Sequence, residues 1–295
     1  MKNRVTNQRG AKTLTAFLFL FPFLFLYSVF TIWPVIQGVY VSLHKWGLMG
    51  KIRFLGLGNY TRFLTDRYFW EALGHTTWFV IISVPLLVVA PVGLGLLANR
   101  GFRMKKFLRT AYYIPTVLSV AVISRIAAWI FGSYNGFLSF LLHDLGILAP
   151  HQEIMWFQST NLIWIVVTLT TLWWTVGFSM MLVISALQDI PETLYEAAEL
   201  DGASKSRQLF GITLPLLKPI ISLILLLQMI SSFKVFGQIQ LISGGGPGTA
   251  TRPLIQYVYE SAFRQSDMGY GAAMSYALFA ILVGLSYLQL RLQRA

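Results

Sequence analysis

Four stretches of this chain, within residues 14–41, 76–99, 161–187 and 269–290, run for the length of a membrane crossing without a single Asp, Glu, Lys or Arg. About 20 apolar residues are needed to cross a hydrocarbon core, and each stretch supplies them. Two more complete a set of six: 108–131, interrupted by Arg125, and 215–236, with Lys218 and Lys234 near its ends. At 56% hydrophobic and 12% charged, the 295 residues are too apolar for an ordinary soluble domain. The sequence therefore predicts an all-α integral membrane protein, a single domain over 1–295 with six transmembrane helices.

Orientation follows from where Lys and Arg collect. Lys2, Arg4, Arg9 and Lys12 precede the first span, and Arg100, Arg103, Lys105, Lys106 and Arg109 fill the second connection. Lys205 and Arg207 lie in the fourth, and Arg291 and Arg294 follow the last span. These segments belong in the cytoplasm, with both termini. The connection 132–160 has neither Lys nor Arg, as expected outside. Lys45, Lys51, Arg53, Arg62 and Arg67 dissent, but an even number of spans with both ends inside still puts their connection outside. The apolar run of 1–41 is too long for a signal peptide and lacks a small-x-small cleavage site, so it reads as a retained span that Pro22 and Pro34 kink.

The net charge of +12 is thus an orientation signal, and no basic stripe interleaved with aromatics marks a nucleic-acid surface. With no cysteine, disulfides and thiolate metal sites are excluded. His44, His75, His143 and His151 fall in or beside outer connections without metal-ligand spacing and read as surface residues. No Asp or Glu lies inside a span, which weighs against proton- or sodium-coupled transport. A catalytic cluster, needed for a membrane-embedded enzyme, is missing as well.

The polar segment 189–215 is the most informative connection. Asp189-Ile-Pro-Glu192 has the form of a capping box that starts a helix. Helical period puts Ile190, Leu194, Ala197 and Ala198 on one side and Glu192, Glu196 and Glu199 on the other. Gly202 suits the left-handed turn that ends this helix, and Ser204 the cap of a second one running toward Leu214 before Pro215 and Pro219 interrupt it. Interfacial helices on anionic bilayers carry Lys and Arg, whereas this loop holds five of the chain's eleven acids, so docking into a protein partner is expected over lying on lipid.

The frame Glu196-Ala197-Ala198, Asp201-Gly202, Ile212 and Leu214-Pro215 resembles, without gap or insertion, the EAA loop of permease subunits of binding-protein-dependent ABC importers. Phe54-Leu-Gly-Leu-Gly-Asn-Tyr60, Tyr113-Ile-Pro115, Trp173 to Phe178 and Ser243-Gly-Gly-Gly-Pro-Gly-Thr249 match the carbohydrate branch in order, over about residues 14 to 291. The resemblance implies a type I importer permease fold in a bacterial or archaeal plasma membrane. It implies a second related permease, two ATPase subunits and an extracytoplasmic solute-binding protein as partners, with ATP and Mg on the ATPase and no cofactor on this chain, which has no Walker A motif. It implies coupling through Glu196, Ala197, Ala198, Asp201, Gly202, Ile212 and Pro215. Similarity to maltose-type permeases implies a solute path along Thr116, Ser119 and Val120, Val176 and Gly177, and Gln228, Ser231 and Ser232. For each polar residue of that set, interhelical hydrogen bonding is the competing reading. A di- or oligosaccharide is the expected cargo, with glycerol-phosphate-type polyols the alternative; a secondary transporter or channel is the rival class. On a straight helix Arg125 lies half a turn from the Thr116 and Val120 face and would snorkel outward or pair across a helix contact.

Overall fold

The computed structural model describes residues 17–99, 105–149 and 151–294. The charges at Lys2, Arg4, Arg9, Lys12, Arg100 and Arg103 lie outside them. The helices in chain order are α1 (Phe17–Ser42), α2 (Gly58–Thr65), α3 (Arg67–Asn99), α4 (Lys105–Val117), α5 (Val120–Ile130), α6 (Phe137–Asp144), α7 (Thr160–Gln188), α8 (Glu192–Leu200), α9 (Lys205–Phe233), α10 (Gly237–Ile242), α11 (Leu254–Tyr259) and α12 (Met268–Arg294). Five of them, α1, α3, α7, α9 and α12, are individually long and apolar enough to cross a bilayer, and α4 with α5 makes a sixth span if the bent pair counts as one. Two compact units divide the chain: Met1–Asp66 with Val258–Leu278, and Arg67–Tyr257 with Phe279–Ala295.

Prolines in two of the long helices are accommodated in the same way. The residue before Pro34 and the residue before Pro215 each donate to a carbonyl five positions back, Trp33 N–H to Ser28 and Leu214 N–H to Leu209. The resulting π turn opens the ladder just ahead of a ring that would otherwise press on the carbonyl four residues earlier. Helix α1 accordingly runs from Phe17 to Ser42 without a break. The expected stop at Pro215 and Pro219 does not occur either: the loop's second helix and the fifth span are one helix, α9.

In the first unit, a feature the all-helical expectation omitted follows α1. Strands β1 (His44–Gly47) and β2 (Gly50–Phe54) form an antiparallel hairpin, its register irregular between Lys45 and Trp46. Asn59, within the Gly-Leu-Gly-Asn-Tyr segment, is buried and donates through Nδ2 to the carbonyls of Ser42 at 2.8 Å and His44 at 2.9 Å. Tyr60 shares a 2.7 Å hydroxyl contact with Ser42. The segment thus closes α1 onto the hairpin. Expected on the surface, His44 is instead buried, with Nδ1 2.6 Å from the Tyr40 carbonyl and its ring against Tyr40 and Phe54.

In the second unit the core is built on α7. It packs along α3, where Gly95 brings the two backbones close enough that a Cβ there would sit 2.7 Å from Val183 Cγ1. One apolar cluster joins Phe79, Trp164, Val167 and Ile239; a second joins Val183, Leu187, Leu217 and Ile224 of α7 and α9. Burial of such side chains is worth about 1.5–3 kcal/mol each against water. Within a bilayer, close packing and hydrogen bonds carry more of that role.

Candidate solute path and coupling loop

The expected third span is two helices. Helices α4 and α5 meet at Leu118-Ser119 with a bend of 106°. Ser119 is extended (φ −70°, ψ 154°) and caps α5, its Oγ accepting from Val122 N–H at 3.4 Å. A break at membrane depth exposes backbone groups that need partners. Trp174 of α7 supplies one: its indole N–H donates to the Leu118 carbonyl at 3.0 Å. The Thr116 hydroxyl donates in turn to the Trp174 carbonyl at 3.0 Å. Because the helix is interrupted, the helical phase relation expected between Thr116 and Arg125 does not hold. Arg125 lies exposed on α5 beside Val122 and Trp129.

Against this break lies a cavity of about 320 Å³. Three of the expected path residues, Thr116, Gln228 and Ser231, line it. Sequence reasoning missed the wall that α7 contributes, Trp174, Thr175, Phe178 and Ser179. Their i, i+1, i+4, i+5 spacing places them along one helical face, the available signal in the sequence. Gln228 is buried and donates through Nε2 to Ser179 Oγ at 3.0 Å, so the amide both lines the cavity and ties α9 to α7. The walls thus offer hydroxyls, an amide and two aromatic rings, a mixed lining suited to a polyhydroxylated solute.

Five expected path residues lie elsewhere. Gly177, assigned to the open path, is buried, and a Cβ there would come within 2.1 Å of the Tyr112 carbonyl oxygen. It is the contact that lets α4 approach α7. Neighbouring Val176 is buried as well. Val120 packs on α10 at Gly237, where a Cβ would meet Val120 Cγ2 at 3.0 Å. Ser232 is buried and accepts from Ser83 Oγ at 3.4 Å, the interhelical bonding weighed against a solute role. Ser119 is the cap already described.

The loop expected to couple to the ATPase is a V of α8 and the start of α9. Its opening differs from the expected capping box: Asp189 ends α7, and Pro191 is the N-cap of α8, with no side-chain cap bond. Its turn forms as expected. Gly202 has φ +74°, its N–H reaches the Glu199 carbonyl at 3.0 Å, and Ala203 N–H reaches the Ala198 carbonyl at 2.8 Å, the paired bonds of a Schellman end. Ser204 then caps α9 by accepting from Arg207 N–H at 3.3 Å.

Across the turn Glu199 takes a hydrogen bond from Lys205, with Gln208 Nε2 3.5 Å away. The Lys205 bond first, the Gln208 bond next and the Lys205 charge last hold the Glu199 carboxyl below the usual glutamate range. Tyr195 and Thr213 hydroxyls meet at 3.0 Å nearer the membrane end. The expected small apolar face divides in consequence. Ile190 and Ala198 are half-buried against the chain, whereas Leu194, Ala197 and Leu200, the last 91% exposed, face away with Phe210 of α9. Glu196 and Asp201 are exposed on the same loop; Ile212 is half-buried and Pro215 exposed at the start of the span.

A broken helix over a cavity of mixed lining and a capped polar V between spans suit a membrane subunit of a transport system. The chain belongs to the family of binding-protein-dependent transport system inner membrane components, whose pattern matches residues 90–295. It is 36% identical over 283 residues to the sulfoquinovosyl glycerol transport system permease protein of Agrobacterium fabrum, covering 95% of this chain and 91% of that one. It is 30% identical over 298 residues to the trehalose/maltose transport system permease protein of Thermococcus litoralis, covering 100% and 99%. Among solved structures, a bacterial ABC transporter that imports the acidic polysaccharide alginate shares the fold, with a TM-score of 0.85 at 19% identity over 99% of this chain and 98% of that one. The protein is thus a multi-pass permease subunit of an ABC importer with the type I permease fold.

Proposed function

We propose that this permease carries a carbohydrate, a di- or oligosaccharide or a related glycoside, through the cavity at the α4–α5 break. The observation that carries the reading is the lining itself: Thr116, Ser231 and Gln228 opposite Trp174 and Phe178 combine hydroxyl and amide partners with ring surfaces. The permeases named above take their names from a glycosyl glycerol and from the disaccharides trehalose and maltose, all polyhydroxylated, which fits such a lining. The chain itself is non-catalytic and binds no cofactor. It pairs with a second permease, receives solute from an extracytoplasmic binding protein, and docks through Leu194, Ala197, Leu200 and Phe210 to one of two ATPase subunits, which hold ATP and Mg. Both termini lie in the cytoplasm, a reading that the Lys and Arg distribution supports.

The test is uptake by the complete complex in proteoliposomes. Accumulation of labelled saccharide should require internal ATP and external binding protein, and should fall with Thr116→Val. Uptake down a gradient with neither ATP nor binding protein would refute the coupling, and uptake indifferent to Thr116→Val would refute the path.

A further inference from the structure

Arg125 is a bare cation in a membrane helix. Among the described residues it makes no hydrogen bond, ion pair or ring contact, although the lining of its cleft is otherwise apolar. A guanidinium facing hydrocarbon is costly, so such residues face a water-filled path, an opposite charge or, near a helix end, the membrane–water interface. The spans of this chain offer no Asp or Glu to pair with it. The shallow, open groove beside it measures about 650 Å³ and is lined by α5 alone, with Trp129, one turn beyond Arg125 and 61% exposed, along its edge. Trp129 is held as a platform by a near-parallel stack on Phe137, with ring centroids 5.7 Å apart and planes at 21°. Arg125 sits five residues before the end of α5, about 7.5 Å along the axis at a rise of about 1.5 Å per residue. On the proposed orientation that end lies on the outer side.

We propose that Arg125 and Trp129 form an entry subsite for an anionic carbohydrate, a sugar bearing a carboxylate or sulfonate. The guanidinium takes the acid group through paired N–H donors while the indole face packs on the ring. This rests on the carbohydrate reading above and narrows it to acidic sugars.

Isothermal titration calorimetry of the whole complex in phosphatidylcholine nanodiscs tests it. The probes are uronate- and sulfonate-bearing disaccharides, each beside its neutral parent. At least one acidic sugar should bind at least tenfold more tightly than its parent, and moderate salt should weaken it. Arg125→Gln should remove the preference and Arg125→Lys should keep part of it. Trp129→Ala should weaken acidic and neutral sugars alike.

No preference for an acidic sugar, or a preference that survives Arg125→Gln, overturns the proposal. So does an Arg125→Gln effect seen only when phosphatidylglycerol is added, which would identify a lipid phosphate as the partner. Loss of the second permease from Arg125→Gln overturns it equally, by identifying a carboxylate there as the partner. Neutral sugars that bind without discrimination sink only this subsite, whereas a complex that binds no sugar sinks the carbohydrate reading with it.

Discussion

The Trp174 indole N–H and the Leu118 carbonyl, 3.0 Å apart, join α7 to the point where the third span breaks. The bond fills the place that a helical amide would have taken. It therefore fixes the direction in which α5 leaves α4, and with it one end of the cavity that Thr116 and Trp174 line. Trp174→Phe keeps most of the ring and removes only the donor. An orphaned carbonyl in this setting costs about 1–3 kcal/mol. The variant should insert, show lower thermal stability in detergent, and exchange amide hydrogens faster at residues 117–122. Unchanged exchange there would show that the break is held by something else.

Gly177 and Gly202 are both indispensable glycines for opposite reasons, and substitution separates them. At Gly177 space is the constraint, because a Cβ would press on the Tyr112 carbonyl at 2.1 Å. At Gly202 nothing lies within 4 Å of the added carbon, and the constraint is φ of +74°. Gly177→Ala should force α4 away from α7 and reduce yield and thermal stability sharply. Gly202→Ala should cost only about 1 kcal/mol of backbone strain, leaving the membrane part intact while co-purification of the ATPase declines. Equal stability losses in the two variants would contradict this division.

These two glycines also mark how far the sequence could be read. Gly202 was legible because a left-handed helix end is a local requirement of the chain, visible from Glu196 to Ser204. The six apolar stretches were legible for a similar reason, since spanning is a property of each segment alone. Gly177 was not, because a small residue in a membrane helix suits a cavity wall or a helix contact equally, and only the neighbour decides. The broken third span was hidden too. Leu118 and Ser119 carry no strong breaker, and the break depends on a donor 56 residues away in Trp174. The start of α8 misled for a different reason: Asp189 ends α7, and Pro191, which has no side-chain acceptor, takes the N-cap of α8 in its place.

The Glu199 to Lys205 bond should set the pH response of the loop. Its carboxyl is held lower in the folded chain than in the unfolded one. The stabilisation is therefore fully present above the ordinary glutamate value of about 4.3, and it is lost as pH falls through the lower folded value. Hydrogen exchange at residues 200–205 should thus be constant from about pH 5 to 8, corrected for intrinsic rates, and rise only in stronger acid. Lys205→Met should shrink the acid-dependent step to what the Gln208 bond alone supports. Glu196, exposed and with no partner among the described residues, offers the contrast. Glu196→Lys should leave exchange in the loop unchanged yet weaken ATPase retention more than Glu196→Gln does, with the difference narrowing in high salt. A Glu196→Lys chain that retains the ATPase as well as the glutamine variant would remove charge from the docking account.

Ser231 provides the cleanest test of the solute path, because it lines the cavity without a side-chain hydrogen bond to any described residue. Gln228, one turn earlier, is unsuitable: replacing it also breaks the 3.0 Å bond to Ser179 that joins α9 to α7. A larger apolar group at the exposed position 231 keeps the backbone ladder of α9 and displaces no buried neighbour, yet it occupies part of a space of only about 320 Å³. Ser231→Leu should therefore cut saccharide uptake at least tenfold while thermal stability and ATPase association stay at wild-type levels. Ser231→Ala, which removes the hydroxyl without filling the space, should weaken uptake by a few-fold, mainly through KM. Ser232→Ala, one residue on and buried against Ser83, should affect stability slightly and uptake not at all. Full uptake by Ser231→Leu, or a larger transport loss from Ser232→Ala than from Ser231→Ala, would place the solute on another face of α9.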